Sequence, residues 1–120
     1  MSWQDGMIEY SIVWTIPTGK TDEFKTLASE AIEISRNESP VKEYRWFFNE
    51  DETRCGLIER YPGPEAIVEH LKLVGGVLAK MLEIGRISRF DVLGSLDEKT
   101  RNMVEKMGAR VYTPWDGFKK

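Results

Sequence analysis

The spacing of apolar residues changes several times along the chain, and the order of these changes restricts the fold. Over residues 7–16 every second residue is large and apolar, which is typical of a β-strand with one buried face. After Thr21 the apolar spacing becomes three and four, which predicts an amphipathic helix that runs to about Arg36. Asn37 and Pro40 follow as helix-ending residues. The first third of the chain therefore predicts a strand followed by a helix.

Two further extended segments, 41–48 and 54–61, flank a short polar turn, and such a pair predicts an antiparallel hairpin. Pro64 is placed to begin a second helix, because proline is favoured at the first helical position. The paired glycines at 75–76 should interrupt or kink this helix, and Gly85 should end it.

A fourth strand is predicted over residues 86–93, which completes the order β-α-β-β-α-β. That order is typical of an α+β, ferredoxin-like split βαβ fold with an antiparallel sheet. Ser95 and Glu98 then match a capping box at the start of a third helix. Residues 109–113 predict a short fifth strand. A C-terminal helix and strand therefore extend the four-stranded core.

The length of the chain fits one domain. It has 120 residues and a mass of 13.9 kDa, enough to bury roughly two-thirds of the surface that its unfolded form exposes. No repeat or linker divides the sequence. We therefore expect a single domain over residues 1–120, with a ferredoxin-like core at 7–94 and a C-terminal extension at 95–120.

The two crossover helices can cover only one face of the predicted sheet. Several strands also carry large side chains on the opposite parity, and an antiparallel sheet with two apolar faces usually packs against a second sheet. This predicts a homodimer that meets through the sheet faces. The fifth strand and residues 115–118 should also contact the partner.

Charge and hydropathy exclude several other partners. Seventeen basic and 20 acidic residues give a net charge of −3 and a pI of about 5.3, without the basic excess that nucleic-acid binding requires. No apolar stretch is long enough to span a membrane, and residues 1–6 lack the pattern of a signal peptide. Cys55 is the only cysteine, so no intrachain disulfide can form. We therefore expect a cytoplasmic protein with no nucleic-acid or membrane partner.

Several short motifs within residues 7–94 together resemble one protein family. These are Ile16–Lys20 with Glu23-Phe24, Tyr44–Phe47, Ile58–Tyr61, Glu65-Ala66 and Glu69–Leu71. The chain resembles the antibiotic biosynthesis monooxygenase (ABM) domains of the dimeric α/β-barrel superfamily. The segment from Ser95 onward resembles an extension found in one branch of that family.

The resemblance implies a dimeric α/β barrel and a small-molecule site, and it leaves the reaction open. The superfamily includes quinol oxygenation, lactone isomerisation, haem degradation and proteins with no known chemistry, so function depends on the site. The Asn-Trp-His arrangement associated with haem degradation is not recognisable in this chain. Among the superfamily's oxidoreductase activities, quinol oxygenation is therefore the favoured expectation.

Two residues could act as a general base. His70 is the only histidine, and its imidazole titrates near neutral pH; the alternative is a buried structural histidine. Glu59 lies on the same strand parity as Tyr61, and burial in an apolar cavity would raise the pKa of its carboxyl. Its alternative role is an ion pair or a hydrogen bond within the sheet.

Aromatic residues on neighbouring strands could form the walls of a substrate pocket. They are Tyr10, Trp14, Tyr44, Trp46, Phe48 and Tyr61. Such walls suit a planar quinol or polyketide ring, although aromatic residues on strands also form plain core. Arg45, Arg60 and Arg89 could stabilise a phenolate, or they could be solvated residues at strand edges.

No pattern in the sequence indicates a metal or a cofactor. One histidine and one cysteine cannot form a conventional zinc site within a single chain. The glycine pair at 75–76 lacks the lysine and the strand–helix context of a phosphate-binding loop. We therefore expect no metal and no cofactor.

The residues support two hypotheses of different classes. One is a cofactor-independent monooxygenase acting with O₂ on a small phenol or quinol. The other is a small-ligand-binding or regulatory homodimer that uses the cavity without turnover. Both require a cavity between the sheet and the second helix. Its expected lining is several of the residues Tyr10, Trp14, Tyr44, Trp46, Glu59, Tyr61 and His70.

Overall fold

A computed structural model describes residues 3–120 of the chain as five strands and three helices. The elements are β1 (Ile8–Thr15), α1 (Thr21–Glu38), β2 (Glu43–Phe48), β3 (Arg54–Tyr61), α2 (Pro64–Ile84), β4 (Arg86–Leu93), α3 (Glu98–Lys106) and β5 (Arg110–Tyr112). Residues 1 and 2 lie outside the described residues. They belong to the segment 1–6, for which the sequence predicts no signal peptide.

The five strands form one sheet in the order β2-β3-β1-β4-β5. The first four pair antiparallel, which confirms the α+β ferredoxin-like fold. The fifth strand pairs parallel to β4, with Val92 opposite Val111, so the complete sheet is mixed rather than antiparallel throughout. A parallel neighbour needs a crossover connection, and α3 provides it.

One face of the sheet is covered by the helices. The alternate residues of β1 from Ile8 to Trp14 are all buried on this face, as the period of two predicts. Phe24 and Ala28 of α1 and Met81 of α2 join them in one hydrophobic cluster. The core therefore lies between a single sheet face and the helices.

The second helix runs without interruption from Pro64 to Ile84, so the predicted break at Gly75 and Gly76 is wrong. Paired glycines weaken a helix by about 1 kcal/mol each. Val74, Val77 and Met81 are buried on both sides of the pair. Burial of each such side chain contributes roughly 1.5–3 kcal/mol, which outweighs the glycine penalty. The predicted end at Gly85 is confirmed.

The third helix begins two residues later than a capping box at Ser95 would place it. Asp97 is the N-cap, and its Oδ1 accepts a hydrogen bond from the backbone N–H of Thr100 at 2.9 Å. The capping-box prediction at Ser95 and Glu98 is therefore wrong, because Glu98 is the first helical residue. None of the helices within residues 3–120 is long and apolar enough to cross a membrane.

The face opposite the helices is partly apolar. Val13 and Ile58 are half-buried near its centre, and Phe47 and Leu93 are 52% and 43% exposed. Tyr112 on β5 continues the patch and is 49% exposed. We call this face of the sheet, which carries these five apolar residues, the open face. The homodimer predicted from the sequence would cover this face with a second copy of the chain.

We expect the chain to sediment as a dimer at micromolar concentration. Ile58→Lys should convert it to a monomer, because the new charge would lie beside Arg45 on the open face and would be buried unpaired in a dimer. Leu82→Lys is the matched control, since Leu82 is a 49% exposed apolar residue on α2. A stable wild-type monomer in sedimentation velocity would contradict the expectation.

Candidate active site

A narrow cavity of about 60 Å³ lies between the sheet and α2, and its wall is almost entirely apolar. All seven residues expected at a pocket line it: Tyr10, Trp14, Tyr44, Trp46, Glu59, Tyr61 and His70. Strand parity brings the first six onto one face of the sheet, and α2 brings His70 over that face.

Glu59 lies on β3 between two tyrosines. It is directly opposite Tyr10 on β1 and directly opposite Tyr44 on β2. Only 5% of Glu59 is exposed. Its carboxyl therefore sits against phenol rings on both sides, in the middle of the sheet.

Two side chains contact the same oxygen of this carboxyl. Tyr61 lies two residues further along β3, on the same face, and its hydroxyl donates a hydrogen bond to Oε1 of Glu59. His70 Nε2 lies 3.4 Å from that oxygen, and His70 is 5% exposed. The three residues form one buried polar cluster at the cavity wall.

The other nitrogen of the imidazole contacts a serine that sequence reasoning missed. Ser39 Oγ, just after α1, lies 2.8 Å from His70 Nδ1, and it accepts the backbone N–H of Val41 at 3.2 Å. The rings of Tyr44 and Tyr61 pack edge-on against His70, with centroids 5.1 and 5.6 Å away. His70 is therefore fixed on both nitrogens and both sides.

Burial determines the protonation of the cluster. Desolvation raises the pKa of Glu59 to about 7, and the hydrogen bond from Tyr61 only partly opposes this rise. Desolvation lowers the pKa of His70 to about 4. It also raises the pKa of Tyr10, Tyr44 and Tyr61, with a further contribution from the Glu59 charge. Glu59 is therefore the group of this cluster whose pKa lies nearest to neutral pH.

Two buried hydrogen-bond donors in the cavity wall have no acceptor within residues 3–120. They are the indole N–H groups of Trp14 and Trp46. A buried donor left unpaired costs roughly 1–3 kcal/mol. A ligand oxygen would satisfy such a donor if the wall moved enough for the ligand to reach the indole nitrogen.

The arginines considered as counter-charges do not line the cavity. Arg45, Arg60 and Arg89 lie on the other parity of their strands, which places them on the side of the open face. Arg45 and Arg60 each lie 3.2–3.3 Å from a Glu43 oxygen, and Arg89 pairs with Asp91 at 2.7 Å. The role as phenolate counter-charge is therefore wrong for these three residues.

Phe48 and Cys55 also lie apart from the buried polar cluster of Glu59, Tyr61 and His70. Phe48 packs against Phe24, with Lys25 over its ring, and does not line the cavity. Cys55 is fully buried, and desolvation raises the pKa of its thiol to about 11, so it remains an uncharged core residue. No group of three or more His, Cys, Asp or Glu side chains in residues 3–120 could hold a metal ion.

The structure also adds apolar lining that the sequence did not single out. Leu71 and Leu78 of α2 and Met107, at the end of α3, contact the cavity. Leu71 and Leu78 are seven residues apart in the sequence, which places them on one helical face and is typical of core residues. Met107 shows that the C-terminal extension takes part in the cavity wall.

Comparison with known proteins identifies the fold. No model of a protein family matches the chain, and no curated protein matches it in sequence. MupZ from Pseudomonas fluorescens has a similar structure, with a TM-score of 0.84 and 21% identity over 95% of this chain and 94% of that one. That likeness includes the C-terminal extension.

Two further solved structures share the core of the fold. SnoaB from Streptomyces nogalater, a cofactor-independent oxygenase, has a TM-score of 0.63 at 10% identity over 72% of this chain and 90% of its own. A candidate antibiotic biosynthesis monooxygenase from Chloroflexus aurantiacus has a TM-score of 0.62 at 13% identity, over 76% and 92%. The chain has the fold of an ABM-like domain. Identities this low establish the fold alone, and the ABM-like expectation is confirmed at that level.

The raised pKa of Glu59 predicts how stability depends on pH. The folded chain retains a proton on Glu59 that the unfolded chain releases between pH 4.5 and about 7. The contribution of Glu59 is thus fully present below pH 4.5 and is lost as pH rises through 7. His70 acts in the opposite sense: its contribution is present above pH 6.5 and is lost as pH falls through about 4.

We expect Glu59→Gln to gain stability relative to wild type as pH rises from about 4 to about 8, by about 3 kcal/mol in the free energy of unfolding. The His70 contribution is common to both proteins and largely cancels. Urea denaturation at a series of pH values measures the difference. Glu69→Gln, on the exposed side of α2 next to His70, is the control. If the free energies of unfolding of Glu59→Gln and wild type change with pH in parallel, the raised pKa of the buried Glu59 carboxyl is contradicted.

Proposed function

We propose that the protein is a cofactor-independent monooxygenase that acts with O₂ on a small phenol or quinol. The observation that carries this proposal is a buried carboxyl in an aromatic cavity, hydrogen-bonded by Tyr61 and approached by His70. A base in a dry pocket is what such chemistry asks of a protein, since the substrate anion can transfer an electron to O₂ directly.

Glu59 is the proposed base. Its raised pKa, about 7, lies near working pH, where a general base is most effective. His70 is a weaker base because burial lowers its pKa to about 4. Its role would be to orient Glu59 by contact with Oε1 at 3.4 Å.

Charge balance explains how the reaction could proceed without an arginine in the cavity. When ionised Glu59 takes a proton from a neutral quinol, the carboxyl becomes neutral and the substrate becomes an anion. The cavity therefore carries one negative charge before and after the transfer. The anion then reduces O₂, one oxygen atom is added to the ring, and the other leaves as water with two substrate hydrogens.

The polar groups of the wall favour a ligand with oxygen atoms on an aromatic ring. The indole N–H groups of Trp14 and Trp46 could donate to a quinol or quinone oxygen, and the surrounding aromatic side chains would pack against the ring. A cavity of about 60 Å³ is smaller than the 300–1,000 Å³ typical of ligand sites. Entry of a ring therefore requires side chains at the wall to move, and Met107, which is 37% exposed and flexible, is suited to do so.

The named neighbours agree with this proposal. SnoaB is a cofactor-independent oxygenase, and the Chloroflexus protein is a candidate monooxygenase of the same fold. Their likeness supports the reaction class by analogy of fold, and the residues of the cavity supply the chemical argument.

Oxygen uptake with a panel of quinols and polycyclic phenols tests the proposal. We expect wild type to consume O₂ and Glu59→Gln to lose about 100-fold or more in kcat/KM, which is typical of removing a general base. Wild-type activity should rise with pH through a midpoint near the Glu59 pKa of about 7. Glu69→Gln should retain full activity.

Binding without oxygen uptake would overturn the enzymatic proposal. If quinols bind with a defined stoichiometry and no member of the panel is oxidised faster than in buffer, the chain is a ligand-binding protein that uses the same cavity.

The unpaired indole donors generate a separate expectation about binding. Trp46→Phe keeps the ring and removes the N–H, so quinone affinity should fall several-fold, as expected for one lost hydrogen bond. Trp115→Phe is the matched control, because Trp115 is 90% exposed and lies outside this cavity. Isothermal titration calorimetry measures both. Equal affinity of Trp46→Phe and wild type would exclude a hydrogen bond from Trp46 to the ligand.

A further inference from the structure

We propose that His70 and Ser39 form a proton path that connects the buried carboxyl of Glu59 to the protein surface. The path has three contacts in a row. His70 Nε2 lies 3.4 Å from Oε1 of Glu59, His70 Nδ1 lies 2.8 Å from Ser39 Oγ, and Ser39 borders a pocket at the surface. The proposal rests on Glu59 changing its protonation during the proposed reaction, and it does not depend on which substrate is used.

The surface pocket is lined by residues of α1, of the segment that follows α1 and of β2, and Ser39 is one of them. Ser39 is partly exposed there, beside the exposed residues Arg36 and Lys42. Tyr44 lines both this pocket and the inner cavity. The distance from solvent to Glu59 is thus spanned by one hydroxyl and one imidazole.

The hydroxyl of Ser39 is placed to pass a proton in either direction. One lone pair accepts the backbone N–H of Val41 at 3.2 Å. The hydroxyl proton and the second lone pair remain for His70 Nδ1 and for solvent, since a serine hydroxyl is one donor and two acceptors. The backbone contact holds the oxygen in place while its proton moves.

The proton transfers balance at each atom. A proton on Glu59 passes to His70 Nε2, the proton on Nδ1 passes to Ser39 Oγ, and the original hydroxyl proton leaves to solvent in the surface pocket. Glu59 ends ionised, and the imidazole and the hydroxyl end neutral with their protons on new positions. Reversal of the sequence returns a proton to Glu59.

Other titratable groups around Glu59 cannot carry this proton as easily. Tyr10 on β1, Tyr44 on β2 and Tyr61 on β3 face the carboxyl, and the pKa of each phenol is raised by burial and by the Glu59 charge. No lysine or arginine within residues 3–120 lines the cavity. Among the described groups, His70 is therefore the one that joins the carboxyl to a solvent-facing hydroxyl.

Hydrogen–deuterium exchange of the Glu59 carboxyl tests the path in the resting protein. Below the Glu59 pKa of about 7 the carboxyl is protonated, and its infrared carbonyl band is identified as the band absent from Glu59→Gln. After rapid mixing into D₂O at about pH 5, this band shifts as the proton is replaced. The rate of the shift measures proton exchange with solvent.

We expect Ser39→Val to slow this exchange about tenfold, the effect of losing a contact of about 1.4 kcal/mol. Ser39→Thr keeps the hydroxyl and should restore the wild-type rate. Ser35→Ala is the matched control, because Ser35 borders the same surface pocket on α1 without contacting His70. If Ser39→Val does not fold, Ser39→Ala should show the same slowing.

Equal exchange rates in wild type and in the folded Ser39 variant that lacks the hydroxyl would overturn the proton path. A slowing that Ser39→Thr does not reverse would also overturn it, because the effect would then come from packing. The measurement needs no substrate, so the path can fail while oxygen uptake is observed. It can equally be supported when oxygen uptake is absent, which would remove the monooxygenase proposal alone.

Discussion

The buried carboxyl of Glu59 is the constraint on which the site depends. Taking a carboxylate out of water is unfavourable unless the group is hydrogen-bonded or becomes protonated. Glu59 accepts a hydrogen bond, and burial raises its pKa so that it binds a proton more readily. Tyr61 donates to it, His70 approaches the same oxygen, and the remaining surroundings are phenol rings and apolar side chains. The result is a group poised between its two protonation states near neutral pH, which is the property that a proton-transfer site requires.

The fold supports this arrangement because all helices pack on one face of the sheet. The central strands β3 and β1 place Glu59, Tyr61 and Tyr10 at the middle of the covered face, where water is excluded. The other charged residues of these two strands fall on the opposite parity and pair there, as Arg60 of β3 does with Glu9 of β1. The separation of a dry, uncharged face from a charged one follows from the period of two in a strand.

The C-terminal extension completes the cavity rather than standing beside it. The crossover through α3 allows β5 to join β4 in parallel and brings Met107 to the cavity wall. MupZ shares the fold over nearly the whole chain, whereas SnoaB and the Chloroflexus protein share about three-quarters of it. The extension therefore adds a side chain to a cavity whose other lining residues belong to the core.

The order of the elements, the antiparallel core and the face on which each strand residue lies could all be predicted from the amino-acid sequence. These are local properties, because a period of two or 3.6 assigns side chains to faces without reference to the rest of the chain. For the same reason Glu59 and the aromatic residues could be assigned to one wall. The continuation of α2 through Gly75 and Gly76 could not be predicted in this way. It depends on how much apolar surface the helix buries against its neighbours in the folded chain. The contact between Ser39 and His70 is likewise a product of tertiary packing. The two residues are 31 positions apart and meet because the end of α1 packs beside α2. The protonation states of Glu59 and His70 depend on the same packing. A pKa is set by the groups that surround a side chain in space, and the spacing of residues in the sequence does not specify those groups.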